Sequence, residues 1–211
     1  MRVGLKCGLS AMTLLIVLAA TEARATYTPN PAGRWQPNQF FLAGDFQYTD
    51  EKDLEHGKLN DEYGLFVRPS YSFAPNATVY ARLGFQDADH FDAGFAIGMG
   101  VQMAWQLPQA KDWSIGGSFD YLFWDLDGPG GGDVDYHEFQ LAPAVSYNIP
   151  QIREITPYAG LAFDFLEGDV DEDDPVGLFF GSNFDLDRWR FDAQFRVINE
   201  EGLMLSAGYM F

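Results

Sequence analysis

The 211-residue chain has one cysteine (Cys7), three histidines, and 13 lysines and arginines against 31 aspartates and glutamates. Each shortage excludes something. Cys7 stands ahead of an uncharged run, Gly8 to Ala20, so the rest of the chain has no thiol for disulfides, thiol catalysis or cysteine-ligated metal. A formal net charge of −18 argues against nucleic acid and anionic headgroups as direct partners. No later segment approaches the roughly 20 apolar residues that a spanning helix needs. Any membrane insertion must therefore use strands, because only helices and closed barrels satisfy the backbone in lipid.

Arg2 and Lys6, the short apolar run, and the polar stretch Thr21-Glu-Ala-Arg-Ala25 read together as a signal peptide with an A-x-A cleavage site. Residues 1–25 are thus expected to be cleaved. This leaves ten basic and 30 acidic residues, a net charge of about −20. Residues 26–38 read as a periplasmic N-terminal segment and 39–211 as one membrane barrel domain.

Ten segments alternate with period two, near 39–48, 63–73, 78–86, 91–105, 113–124, 136–147, 156–166, 176–185, 189–197 and 203–211. In the ninth, Trp189, Phe191, Ala193, Phe195 and Val197 share one face, and Arg190, Asp192, Gln194 and Arg196 the other. This predicts an all-β fold, a closed antiparallel up-and-down transmembrane barrel of about ten strands, with eight as the alternative.

A soluble barrel also alternates, so facing needs further evidence. The connections alternate in character: 49–62, 87–90, 125–135, 167–175 and 198–202 are mostly long and acidic, whereas 74–77, 106–112, 148–155 and 186–188 are shorter and hold prolines and basic residues. Long outer loops and short periplasmic turns are the asymmetry of outer-membrane barrels. The apolar faces also end in aromatic residues. Phe40, Phe73, Trp105, Trp113, Tyr147, Trp189, Tyr209 and Phe211 fall at one level, and Tyr48, Tyr63, Phe85, Phe91, Phe123 and Phe165 at the other. Two such girdles match two membrane interfaces.

The final strand, Leu203-Met-Leu-Ser-Ala-Gly-Tyr-Met-Phe211, ends in Phe211 with Tyr209 on the same face. Here the chain resembles the small outer-membrane β-barrel proteins of Gram-negative bacteria, the OmpA- and OmpX-like group, without a peptidoglycan-binding domain. The resemblance implies that Tyr209 and Phe211 form the signal read by the barrel-assembly machinery. It also implies an outer-membrane location with extracellular loops, periplasmic termini and membrane lipid as partner.

If the apolar faces meet lipid, the lumen presents Asp45, Asp92, Asp120, Glu138, Asp164 and Asp192 against Arg68, Arg82, Arg190 and Arg196, with Phe66, Tyr80, Tyr158 and Trp124 among them. Two readings follow: a narrow cation-preferring pathway, or a network of paired charges that fills a small barrel. The small residues of the fourth strand, Ala96, Gly98 and Gly100 among them, read as room for those larger groups.

Twenty of the 30 acids fall in the long connections. Asp169, Asp171, Asp173 and Asp174 are the densest group and the candidates for calcium or magnesium. The match to a calcium loop is poor, since Asp174 stands where glycine is required and Phe180 where the bidentate glutamate belongs. No other cofactor is indicated. Of His56, His90 and His137, none has a neighbouring nucleophile that completes a triad, so no enzyme is expected. The reading is a structural or surface-interaction protein acting through acidic extracellular loops, with a small porin-like channel as the alternative.

Overall fold

The computed structural model describes residues 29–54, 57–87, 92–127, 133–168, 176–197 and 200–211. Ten antiparallel strands form a closed barrel in which each strand pairs with its sequence neighbours and β1 closes on β10. They are β1 (Gln39–Leu54), β2 (Gly57–Ala74), β3 (Ala77–Asp87), β4 (Asp92–Leu107), β5 (Ala110–Asp127), β6 (Asp133–Tyr147), β7 (Ile155–Gly168), β8 (Val176–Leu186), β9 (Trp189–Val197) and β10 (Glu200–Met210). Closure removes the unpaired edges that an open sheet would expose.

We call the end that carries β1's start and β10's finish the near end, and the opposite one the far end. Near-end connections are tight. Pro75-Asn76 joins β2 to β3, Pro108-Gln109 joins β4 to β5, and Asp187-Arg188 joins β8 to β9 with Asp187 in the left-handed region at φ 57°. Aspartate tolerates that conformation better than most residues. The β6–β7 connection is longer and closes through successive bonds, Ile152 N–H to the Ile149 carbonyl at 3.1 Å and Ile155 N–H to the Ile152 carbonyl at 3.2 Å.

At the far end the strands outrun the sequence expectation. The stretches 49–62 and 125–135 read as loops, yet β1 and β2 stay in register through Glu51↔Asn60, Lys52↔Leu59, Asp53↔Lys58 and Leu54↔Gly57. Likewise β5 and β6 pair out to Asp127↔Asp133. The physical reason is that apolar alternation is demanded only where one face meets lipid. A hairpin that projects beyond that zone keeps its backbone ladder with polar residues on both faces.

The barrel is inside out compared with a soluble one. Leu65, Phe85, Met99, Phe119, Leu141 and Phe165 point outward and are exposed, while Asp45, Arg68, Arg82, Glu138, Asp164 and Arg196 are buried within. A contiguous apolar belt of this extent far exceeds what a soluble monomer shows to water. Aromatic contacts mark both rims. At the near rim Phe40 meets Phe211 with ring centroids 5.6 Å apart, Trp189 meets Tyr209 at 5.2 Å and Trp113 meets Tyr147 at 4.9 Å. Toward the far rim Tyr48 meets Tyr63 at 4.9 Å. Phe91 lies outside the described residues.

Candidate functional site

The interior is the candidate site, and it is built from the inward parity of each strand. On β1 and β2 the Asp45 carboxylate receives two bonds from Arg68, Nε to Oδ2 at 2.7 Å and Nη2 to Oδ1 at 3.1 Å. Ser206 of β10 donates to Asp45 at 2.6 Å and accepts from Arg68 at 3.2 Å. Arg82 of β3 donates to Gln47 and lies 4.5 Å above the Phe66 ring. The Tyr80 hydroxyl donates to Asp120. Across the barrel Arg196 pairs with Asp164, which also accepts from Gln140 at 2.7 Å, and Trp124 Nε1 donates to Glu138 at 3.2 Å. Asp192 accepts from Tyr158 at 2.7 Å and from the Asn183 amide.

Glycines make space for these large groups. A Cβ on Gly100 would fall 2.5 Å from the Tyr80 ring, one on Gly98 2.6 Å from Leu122, and one on Gly177 2.5 Å from Arg196. The small residues of β4 therefore have the role read for them in the sequence. Ala96 does the same beside Phe66, Leu122 and Trp124.

Of the ten charged residues expected in the lumen, Asp45, Arg68, Arg82, Asp120, Glu138, Asp164, Asp192 and Arg196 are buried. Arg190 is half-buried at the near mouth, where Nε and Nη2 bond Asp185 at 2.5 and 3.0 Å. The Asp92 side chain lies outside the described residues, as do Asp169, Asp171, Asp173, Asp174, His56 and His90. Among the described residues no group of three or more His, Cys, Asp or Glu could hold a metal ion. His137 is on the outward face, sharing a 2.8 Å hydrogen bond with the Tyr121 hydroxyl; its register partners are Phe123 and Glu167, so strand pairing brings it no serine or threonine.

Burial of the charged groups bears on the two lumen readings. Arg196, Arg82 and Arg68 expose only 1%, 2% and 4% of their surface, and Glu138 and Asp164 1% each. A bore wide enough for water would leave such groups accessible. Asp45–Arg68 and Asp164–Arg196 are direct ion pairs, where breaking a pair leaves an uncompensated buried charge, while Asp120, Glu138 and Asp192 accept from tyrosine, tryptophan and asparagine side chains.

Residues missed by the sequence reading complete the interior. Pro29–Asn38 precedes the barrel in sequence, and its buried part, Asn30, Pro31 and Ala32, lies inside the near half of the lumen. Asn38, left-handed at φ 61°, turns this segment into β1, and Tyr71 donates to its side chain at 3.2 Å. The partners Gln47, Gln102, Gln140, Ser146, Asn183 and Ser206 were also unread. Their inward parity was visible, but an uncharged polar residue at an inward position does not announce its partner.

At the C-terminus Tyr209 pairs in register with Leu42 and Trp189, and the Phe211 N–H donates to the Phe40 carbonyl at 2.9 Å. The chain is similar in structure to the β domain of the Bordetella autotransporter BrkA, at 13% identity over 83% of this chain and 99% of that one, with a TM-score of 0.51. It is also similar to an outer membrane channel from Pseudomonas putida F1, at 10% identity over 88% of this chain and all of that one (100%), with a TM-score of 0.52. The fold is that of an outer-membrane β-barrel. No protein-family model matches the chain, and comparison with curated proteins finds no sequence relative. At these identities the likeness concerns the barrel fold alone.

Proposed function

We propose that this barrel sits in a bacterial outer membrane with its near end in the periplasm, and that its role is structural or surface interaction through the acidic far end. The observation that carries this reading is the closed interior. Arg68, Arg82 and Arg196 are consumed by buried carboxylate and amide partners, so the chemistry available to the surroundings lies at the rims. Of the ten basic residues after residue 25, Lys52 and Lys58 alone fall in the five far-end connections that hold 20 of the 30 acids. Five others, Arg34, Lys111, Arg153, Arg188 and Arg190, fall at the near end. Concentrated like charge raises self-repulsion and favours cations as counter-ligands. Asp169, Asp171, Asp173 and Asp174 supply the oxygen-rich chemistry that calcium or magnesium prefers. His137 faces outward and shares its hydrogen bond with the Tyr121 hydroxyl.

Purified protein in a planar bilayer tests the reading directly: it should stay silent, and regular conductance steps would favour the small-channel alternative suggested by the Pseudomonas neighbour. The cation chemistry is tested by thermal midpoints in calcium and sodium at matched ionic strength. Screening acts through a length of about 10 Å at 0.1 M whatever the salt, so equal midpoints would reduce the acidic rim to a solvated surface.

A further inference from the structure

The lumen changes character along its length. Its far half is filled by Phe66, Arg82, Leu122, Trp124, Glu138 and Arg196, whereas much of the near-half wall is small: Ser72, Ala104, Ser114, Ala142, Ala144 and Ser146. Side chains of that size leave unfilled bore in a ten-stranded barrel. The occupant is the chain's own segment Pro29–Trp35, which belongs to no strand.

The wall holds this segment as a site holds a peptide. Asn30 and Gly33 close a turn, with the Gly33 N–H donating to the Asn30 carbonyl at 2.7 Å. Gln102 Nε2 donates to the Asn30 and Gly33 carbonyls at 2.7 and 2.9 Å, and Ser146 Oγ to the Ala32 carbonyl at 3.1 Å. The Asn30 amide donates to Asn183. The Pro31 carbonyl lies over Gly116, where a Cβ would come within 2.7 Å of it. Ala32 is fully buried against Ala142, Ala144, Tyr158 and Phe179. At the mouth the Trp35 ring stands 5.0 Å from Phe41 and 4.1 Å from the Arg190 guanidinium, and Arg34 donates to Gln106 at 3.0 Å. The fit is incomplete: a cavity of about 70 Å³ remains between Asn30, Ala32 and Gly33 and the wall residues Ser114, Ser146 and Asn183.

We propose that the near half of the lumen is a peptide-binding site and that Pro29–Trp35 is its tethered, exchangeable ligand. The ligand class is a compact turn of small residues that offers main-chain carbonyls, followed by a basic residue and an aromatic ring. Most of the recognition is directed at carbonyl oxygens, which any such turn presents. None of the segment's hydrogen bonds given above runs to the pairs Asp45–Arg68, Asp164–Arg196 or Trp124–Glu138, so exchange opens a blind pocket while those pairs stay in place. A tether of this length holds its ligand at an effective concentration of about a millimolar, which sets the concentration a free competitor must reach.

The test uses the full chain with Cys7→Ser, so that one introduced thiol is the only one. Ser114→Cys places that thiol in the near-half cavity, and Ala96→Cys places it in the far half as a reference. The reading is the labelling rate with a small water-soluble maleimide, on barrels verified as folded by heat-modifiable gel migration. Ala32→Glu forces a carboxylate against the buried side chains of Ala142, Ala144, Tyr158 and Phe179 and should raise labelling at position 114 by about tenfold or more, with position 96 unchanged. Adding an acetylated peptide with the sequence of residues 29–36 at about millimolar concentration should restore protection. The same peptide with alanine in place of the tryptophan should protect less. Trp35→Ala serves as the second release variant if Ala32→Glu does not fold. Unchanged labelling at position 114, a simultaneous rise at position 96, or failure of the peptide to restore protection would each overturn the proposal.

Discussion

The closed interior makes the Asp45–Arg68 pair a quantitative test of the fold. Both residues are almost fully buried, two hydrogen bonds join them, and Ser206 bridges both partners. Two unit charges with centres about 4 Å apart attract by about 4 kcal/mol at an effective dielectric of about 20. Removing one partner loses that attraction and leaves the other charge dry, for a cost of about 3–5 kcal/mol. Asp45→Leu and Arg68→Met should therefore each destabilise by about that amount. The double variant exchanges the pair for apolar groups of similar bulk, and should lie within about 2 kcal/mol of the parent. The assay is urea-dependent folding into phosphocholine vesicles, followed by tryptophan fluorescence at low and high salt. A dry pair is poorly screened, so the coupling should survive high salt. Additive effects of the two substitutions, or a coupling abolished by salt, would mean that water reaches the pair and that the lumen is not closed.

Two further outcomes follow from facing and closure. Met99 is outward and highly exposed on β4, midway between Phe95 and Trp105; Met99→Arg should cost about 2–4 kcal/mol in vesicles, whereas Met99→Leu should cost under about 1.5 kcal/mol. Equal stabilities would argue that this face meets water. Phe211→Asp should lower the yield of folded barrel in cells more than it lowers folding into detergent in vitro, because the resemblance gives Phe211 a recognition role beyond its contacts with Phe40 and Tyr209; parallel losses in both assays would reduce Phe211 to a packing residue.

Strand number and facing were legible in the sequence because a lipid-facing barrel wall imposes alternation residue by residue. Trp189 to Val197 states its two faces without reference to any other strand, and the ten runs need only nearest-neighbour pairing to close. The inward position of Asp45, Arg68, Arg82, Glu138 and Arg196 follows from the same parity. Tertiary structure decided what parity cannot carry. Pairing of Arg196 with Asp164 or Trp124 with Glu138 depends on strand stagger and on the length of each side chain across the bore. The hairpin extensions to Leu54 and Asp127 run on past the segments of apolar alternation, where a backbone ladder needs no sequence period. Pro29–Trp35 shows no periodicity at all; its place is set by the space that Ser72, Ala104, Ala142 and Ala144 leave open, and a void exists only once the walls around it have closed.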